Sequence, residues 1–330
     1  MGSEPKHLKL SRAMRARAAQ ISLTITDPDQ FKLASKLDVV VLNKTGTLTS
    51  PEMQVVKVRL AYGSDMMHEK EVLAIAAAIE IHSKHPIAKA IVAEARRKRL
   101  KKPDAVDFRV IPGHGVVGYL EGDSILVGGP ILLTSRNVPI YVDDLVRSDA
   151  ANQVGHTVVY VVRNSVLLGM IELQEHAAKG AAELVNYLHA LKIRVAMVTG
   201  DATGVADYVA KQFGIAEVFA EVLPGKRFEV IQKLKSDGSK VGLVGHLEID
   251  GLSLAEAQVG IAIGSDGSQP NSPAGLHLAK ESIEGIYDTV MLSRDFRKKR
   301  LRTRLILLAL AAVGISVGAF EYVSIYLATR

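Results

Sequence analysis

The chain has 330 residues, of which 48% are hydrophobic and only 5% aromatic, with a formal charge of +6 and no cysteine or tryptophan. This length suits two globular units, each with its own core, and the lack of cysteine excludes disulfides, thiolate metal sites and a cysteine nucleophile. So few aromatic rings argue against nucleic acid as a partner, and the clustered Lys and Arg residues read as solvated faces or as contacts with phosphates or an anionic membrane.

Residues 1–36 read as a basic N-terminal segment, and the stretch from Met1 to Gln20 lacks the apolar run of a signal peptide. The first buried strand is Asp38 to Asn43, an unbroken apolar run ending in a polar residue. Residues 51–163 then hold a helix pair, from Glu71 to Leu100, and strand-like runs at Ile125 to Val127 and Thr157 to Val162. A connection of that length with structure of its own is an inserted domain. After it, strand-like runs at Ile193 to Asp201, Val241 to Gly245 and Val259 to Gly264 alternate with helix-period segments at Ala177 to Leu191 and Gly225 to Lys235. Such alternation specifies a doubly wound parallel sheet, with functional groups at the carboxyl ends of its strands.

The expected organisation is therefore a doubly wound α/β domain formed by residues 37–50 and 164–292, interrupted by an α+β domain at 51–163. A basic segment at 293–304 precedes an apolar stretch at 305–328, whose only charge is Glu321. That stretch is long enough to cross a bilayer, and the positive-inside rule places the folded domains in the cytoplasm. The alternative is a buried C-terminal helix.

The heptad Asn43-Lys44-Thr45-Gly46-Thr47-Leu48-Thr49 resembles the phosphorylation signature of P-type ATPases in six of seven positions, the family having aspartate first. Thr199-Gly200-Asp201 is similar to the second phosphate-site motif of the same haloacid-dehalogenase-like superfamily, and Ala220 to Pro224 to the run preceding its phosphate-site lysine, where Arg227 stands here. In the insertion, Ser83 to Ala90 resembles the His-Pro motif of the heavy-metal (copper-type) subclass, and Gly113-His114-Gly115 its Gly-x-Gly element. The resemblance implies ATP as ligand. It places Glu80, His85, Pro86, Gly113 and Gly115 around the base and ribose, and Lys44, Thr45, Thr199, Gly200, Asp201 and Arg227 around the phosphates. It also implies a membrane, other pump domains or a transporter as partners. Glu175 lies near a position where the family keeps an aspartate, and no role is assigned to it.

Two substitutions fall where the family's chemistry lies. Asn43 stands at the nucleophile, and an amide oxygen cannot form the aspartyl phosphate. His246 stands at the family's magnesium aspartate and Ile249 at a neighbouring asparagine. Mg2+ wants hard oxygen ligands, so Glu248 or Asp250 could replace the lost ligand only if the loop shifts, and Asp250 is the expected metal residue. Asp201 could instead be only a helix cap. A neutral Asn43 lessens repulsion with ATP phosphates. The expectation is nucleotide binding without turnover, and the alternative is a regulatory or structural membrane protein that keeps the fold.

Overall fold

The computed structural model describes residues 10–64, 67–101, 103–111, 114–280 and 283–328, with only the backbone described at residue 51 and from 312 onward. The chain opens with α1 (Arg12–Gln20), β1 (Leu23–Ile25), α2 (Pro28–Ala34) and β2 (Val39–Asn43). It continues through β3 (Thr49–Leu60), α3 (Glu69–Glu80), α4 (Pro86–Arg97), β4 (Ala105–Ile111), β5 (Gly115–Leu120), β6 (Asp123–Gly128), α5 (Pro130–Ser135), α6 (Val142–Gln153), β7 (Thr157–Arg163) and β8 (Val166–Ala177). The last part comprises α7 (Ala181–Ala190), β9 (Arg194–Val198), α8 (Thr203–Phe213), β10 (Glu217–Phe219), α9 (Arg227–Ser236), β11 (Val241–Gly245), α10 (Leu247–Glu256), β12 (Val259–Ile263), β13 (Leu276–Leu278) and α11 (Ile283–Ala328).

The first sheet runs in the order β1-β13-β12-β11-β2-β9-β10 and is parallel except for β1, which pairs antiparallel with β13. Its central strands β2, β11 and β12 are buried at every position, as their apolar runs require. Side chains alternate between the two faces. Val40 and Leu42 enter the core under α1, α2, α7, α8 and α11, while Val39 and Val41 enter the core under α9 and α10. Helices on both faces make the sheet doubly wound, as the alternating pattern predicts.

The second sheet has the order β3-β8-β7-β6-β5-β4 and is antiparallel throughout. Its faces separate in the same way: Val159 and Val161 pack under α3 and α4, and Val158, Tyr160 and Val162 pack with α5 and α6. Strand β8 belongs to this sheet although it lies beyond residue 163, where the insertion was expected to end. Its charged residues Glu172 and Glu175 interrupt the apolar pattern that would have announced it.

The basic segment at 1–36 also holds more than was expected. Ser11 caps α1, Asp27 followed by Pro28 starts α2, and Leu10, Ala18, Leu23 and Phe31 join the first core. At the other end, α11 packs on the domain through Ile286, Val290 and Leu292, and Phe31 and Phe296 meet at 5.7 Å between ring centroids. The Ser293 hydroxyl donates to the carbonyl of Phe31. From 297 to 311 the helix is exposed, and most of the apolar stretch at 305–328 has side chains outside the described residues. Among the described residues no helix is long and apolar enough to cross a membrane.

Candidate active site

Strand β2 delivers Asn43 to the carboxyl edge of the first sheet, between β9 and β11. The next residues form a tight loop: Leu48 and Thr49 both donate their amides to the Lys44 carbonyl, and Gly46 takes φ +79°, a conformation that favours glycine. A Cβ at Gly46 would lie 3.4 Å from the His246 ring, which places that imidazole beside the loop.

Asn43, Arg227 and Asp250 form one cluster. The Asn43 amide donates to Asp250 Oδ2 at 2.7 Å, and Arg227 Nη1 donates to Asp250 Oδ1 at 2.8 Å and to Asn43 Oδ1 at 3.4 Å. The His246 amide also donates to Asp250 Oδ2, at 3.0 Å. Asp250 is 1% exposed, and a Cβ at Gly245 would come within 2.5 Å of its carboxylate, so glycine is needed for this approach.

Lys44 anchors a second cluster. Its ammonium, 1% exposed, lies 3.0 Å from Glu175 Oε1 and 2.9 Å from Asp201 Oδ2. Burial pulls the Lys44 pKa down, but Asp201 and Glu175 outweigh it and hold the pKa above the ordinary lysine value. Burial likewise opposes the Asp201 carboxylate, yet Lys44 and the hydroxyls of Thr199 and Thr157 keep its pKa low. Asp201 does not cap α8: its side chain accepts from Thr199, Thr157 and Lys44, and Ala202 is the capping residue. Glu175 also accepts from the hydroxyls of Thr45 and Thr49. Thr157 and the pairing of Glu175 are the parts that sequence reasoning missed, because Thr157 stands 44 positions from Asp201 and Glu175 stands 130 and 126 positions from Thr45 and Thr49. Gly200 is not demanded by packing, since a Cβ there would sit 3.6 Å from its nearest neighbour, Val222 O.

The insertion contributes a different set of residues. His85 caps α4, with Nδ1 accepting from the Ile87 amide at 3.3 Å, and Pro86 occupies the first helical position. The ring is exposed by area but flanked closely enough that desolvation lowers its pKa, while Asp201 and Glu175 pull it upward. Glu80 ends α3, is 5% exposed and leaves Oε2 without a hydrogen-bond partner. Burial, only partly offset by Ser83, pushes its pKa up to about 7. Gly115 has φ +140°, and a Cβ would meet Val127 O at 2.2 Å, so the close pairing of β5 and β6 accounts for this glycine without a ligand. Gly113 lies outside the described residues.

The site does not fit Mg2+. Beside a phosphate, octahedral Mg2+ keeps several waters and takes one or two protein carboxylates, so a fit needs a carboxylate oxygen free to bind it. Asp250, expected as the metal residue, is instead the counter-ion of Arg227, and both of its oxygens already accept hydrogen bonds. Glu248 is exposed on α10, and among the described residues no group of three or more His, Asp or Glu side chains converges to hold a metal. A shallow groove lined by His189, Lys192, Arg194 and Glu217 lies at the opposite, amino end of β9.

Residues 37–258 match the haloacid dehalogenase-like hydrolase family. The chain is 34% identical over 282 residues to the copper-exporting P-type ATPase B of Archaeoglobus fulgidus, covering 86% of this chain and 40% of that protein. It spans between 26% and 40% of the length of such curated relatives. A crystal structure of a zinc-transporting PIB-type ATPase in the E2.Pi state superposes with TM-score 0.62 at 29% identity, over 91% of this chain and 48% of that one. The catalytic domain of the CPx-ATPase CopB-B superposes with TM-score 0.62 at 24% identity, over 85% of this chain and all of that one, which speaks for the fold alone. With the carboxyl-edge placement of Asn43 and Asp201, these matches make the chain a member of the haloacid dehalogenase-like hydrolase family.

Proposed function

We propose that this chain is the ATP-binding cytoplasmic part of a heavy-metal cation-transporting P-type ATPase, and that it holds nucleotide without transferring its phosphoryl group. The observation that carries this reading is the side chain of Asn43. It stands where a nucleophile would be, yet its nitrogen donates to Asp250 and its oxygen accepts from Arg227, so no charged oxygen is available to attack phosphorus. Lys44, Thr45, Thr199, Gly200, Asp201 and Arg227 would receive the phosphates, and Glu80, His85, Pro86, Gly113 and Gly115 would receive the base and ribose. Residues 305–328 would enter the membrane behind the basic segment at 293–304, leaving the folded domains cytoplasmic. The domain limits follow the two sheets, with β3 and β8 both in the inserted nucleotide-binding domain.

A second reading, a structural or regulatory membrane protein that binds no nucleotide, is favoured by one observation: Lys44 and Arg227 are both already paired with buried carboxylates. Calorimetric titration of ATP into the full chain and its His85→Ala variant separates the two. Saturable heat that weakens in the variant supports the first reading, and no heat at millimolar ATP supports the second. Incubation with ATP labelled on the terminal phosphate tests turnover, and an acid-stable label retained by the protein would refute the loss of phosphoryl transfer.

A further inference from the structure

The mismatch between this site and Mg2+ has a positive side. Arg227 Nη1 bridges one oxygen of Asp250 and the oxygen of Asn43, the bridging position that a small cation takes between two hard ligands. It also carries the charge that such a cation would supply. With Asn43 and His246 in place of two carboxylates, the cluster holds Glu175, Asp201 and Asp250 against Lys44 and Arg227, so little negative charge remains to attract a divalent ion. Two polar atoms stay unsatisfied here. Arg227 Nε is buried with no partner, and Thr47 Oγ1, in the loop after Asn43, is also buried with no partner. Both atoms are enclosed by protein, so a phosphate oxygen can be met only by the part of the Arg227 side chain that stays exposed, 14% of it.

We propose that the phosphate tail of a nucleoside di- or triphosphate binds this chain without Mg2+, with Arg227 supplying the counter-charge in the metal's place. The inference rests on the nucleotide reading above and adds the ionic form of the ligand. Arg227 is pre-set by Asp250 and Asn43, and its side chain remains 14% exposed to an incoming anion. Metal-free nucleotide then becomes the preferred form, because Asn43 and His246 supply no carboxylate to hold Mg2+ against the phosphates and Asp250 is already taken by Arg227.

The test is calorimetric titration of ATP and ADP into the full chain, once in excess EDTA and once in excess Mg2+. Binding in EDTA that equals or exceeds binding in Mg2+ is expected. Removing Arg227 alone would leave Asp250 buried without a partner, so the informative variant is Arg227→Gln combined with Asp250→Asn, which leaves the net charge unchanged and no buried ion unpaired. Its Kd in EDTA should rise about tenfold, the worth of one lost charge-assisted hydrogen bond, and Mg2+ should not rescue it. A second variant, Asn43→Asp with His246→Asp, restores two carboxylates and should turn the preference over, so that Mg2+ tightens binding. If Mg2+ tightens binding to the unmodified chain by about tenfold or more, the metal-free inference falls while the nucleotide reading stands. If neither condition gives heat, the nucleotide reading falls and takes this inference with it.

Discussion

Replacing Glu80 by Gln should stabilise the protein, by an amount that grows as the pH rises from about 4.5 to about 7 and then levels off. Every residue from Val72 to Glu80 of α3 is buried, so Glu80 carries a carboxyl group into a core whose other members are apolar. Its Oε2 has no partner, and burial raises its pKa from 4.5 to about 7. A carboxyl whose folded pKa lies above its unfolded value contributes stability while protonated. That contribution is fully present below about pH 4.5 and is lost as the pH rises through about 7. At roughly 1.4 kcal/mol per unit, the ionised form costs about 3 kcal/mol relative to a neutral side chain of the same shape. Glutamine is neutral at every pH and keeps the approach to Ser83. The difference in urea-unfolding free energy between Glu80→Gln and the unmodified chain should be near zero at about pH 4.5 and reach about 3 kcal/mol in favour of the variant at about pH 8. A difference that does not change over this range would refute the reasoning, because it would mean that Glu80 is solvated or paired as an ion. Such a gain in stability, combined with weaker ATP binding, would mark Glu80 as a residue retained for its ligand.

Asn43→Asp sets a second carboxylate within about 2.7 Å of Asp250 Oδ2, where an amide donor stood. Thermal melts should show a loss of stability at neutral pH that shrinks on acidification, when one proton can bridge the pair. Lys44→Met strips Glu175 and Asp201 of a buried partner. By the scale for broken buried ion pairs, it should cost about 3–5 kcal/mol in chemical denaturation. Gly115→Ala should destabilise the protein more than Gly122→Ala does. Both positions have positive φ, but a Cβ at 115 would meet Val127 O at 2.2 Å, whereas at 122 it meets nothing within 4 Å. The Gly122 change should cost only about 1 kcal/mol in the same denaturation assay.

The parallel sheet was legible because its strands are buried on both faces: Val39 to Leu42 and Val259 to Ile263 show unbroken apolar runs. The helix pair of the insertion was legible from its periodicity: α3 begins two residues before the expected span of Glu71 to Leu100, and α4 lies inside it. Strand β8 was not, because Glu172 is buried by virtue of Arg59 and His156 beside it, and no local pattern announces partners that far along the chain. The short elements α1, β1 and α2 were hidden by a basic composition that suits a solvated arm equally well. At the site, the residues could be identified from motifs, but their pairings could not. Asn43 and Asp250 are 207 positions apart, and only the parallel order of β2 and β11 brings them together. Asp250 was assigned to a metal on the chemistry of its type, whereas the folded chain sets Arg227 against it, a neighbour that only tertiary structure supplies.

The ribbon formed by β3 and β8 has a mechanical consequence. The chain leaves the parallel sheet at Thr49 and returns at Ala177, and these two residues pair at the foot of two twelve-residue strands. A strand of that length extends about 40 Å, so a tilt of about 10° at the foot moves the far end by about 7 Å. Glu175 sits at the fulcrum, gripping Thr45, Thr49 and the Lys44 ammonium. Leverage at the tip of the ribbon is thus geared directly to the position of one buried cation beneath the loop that follows Asn43.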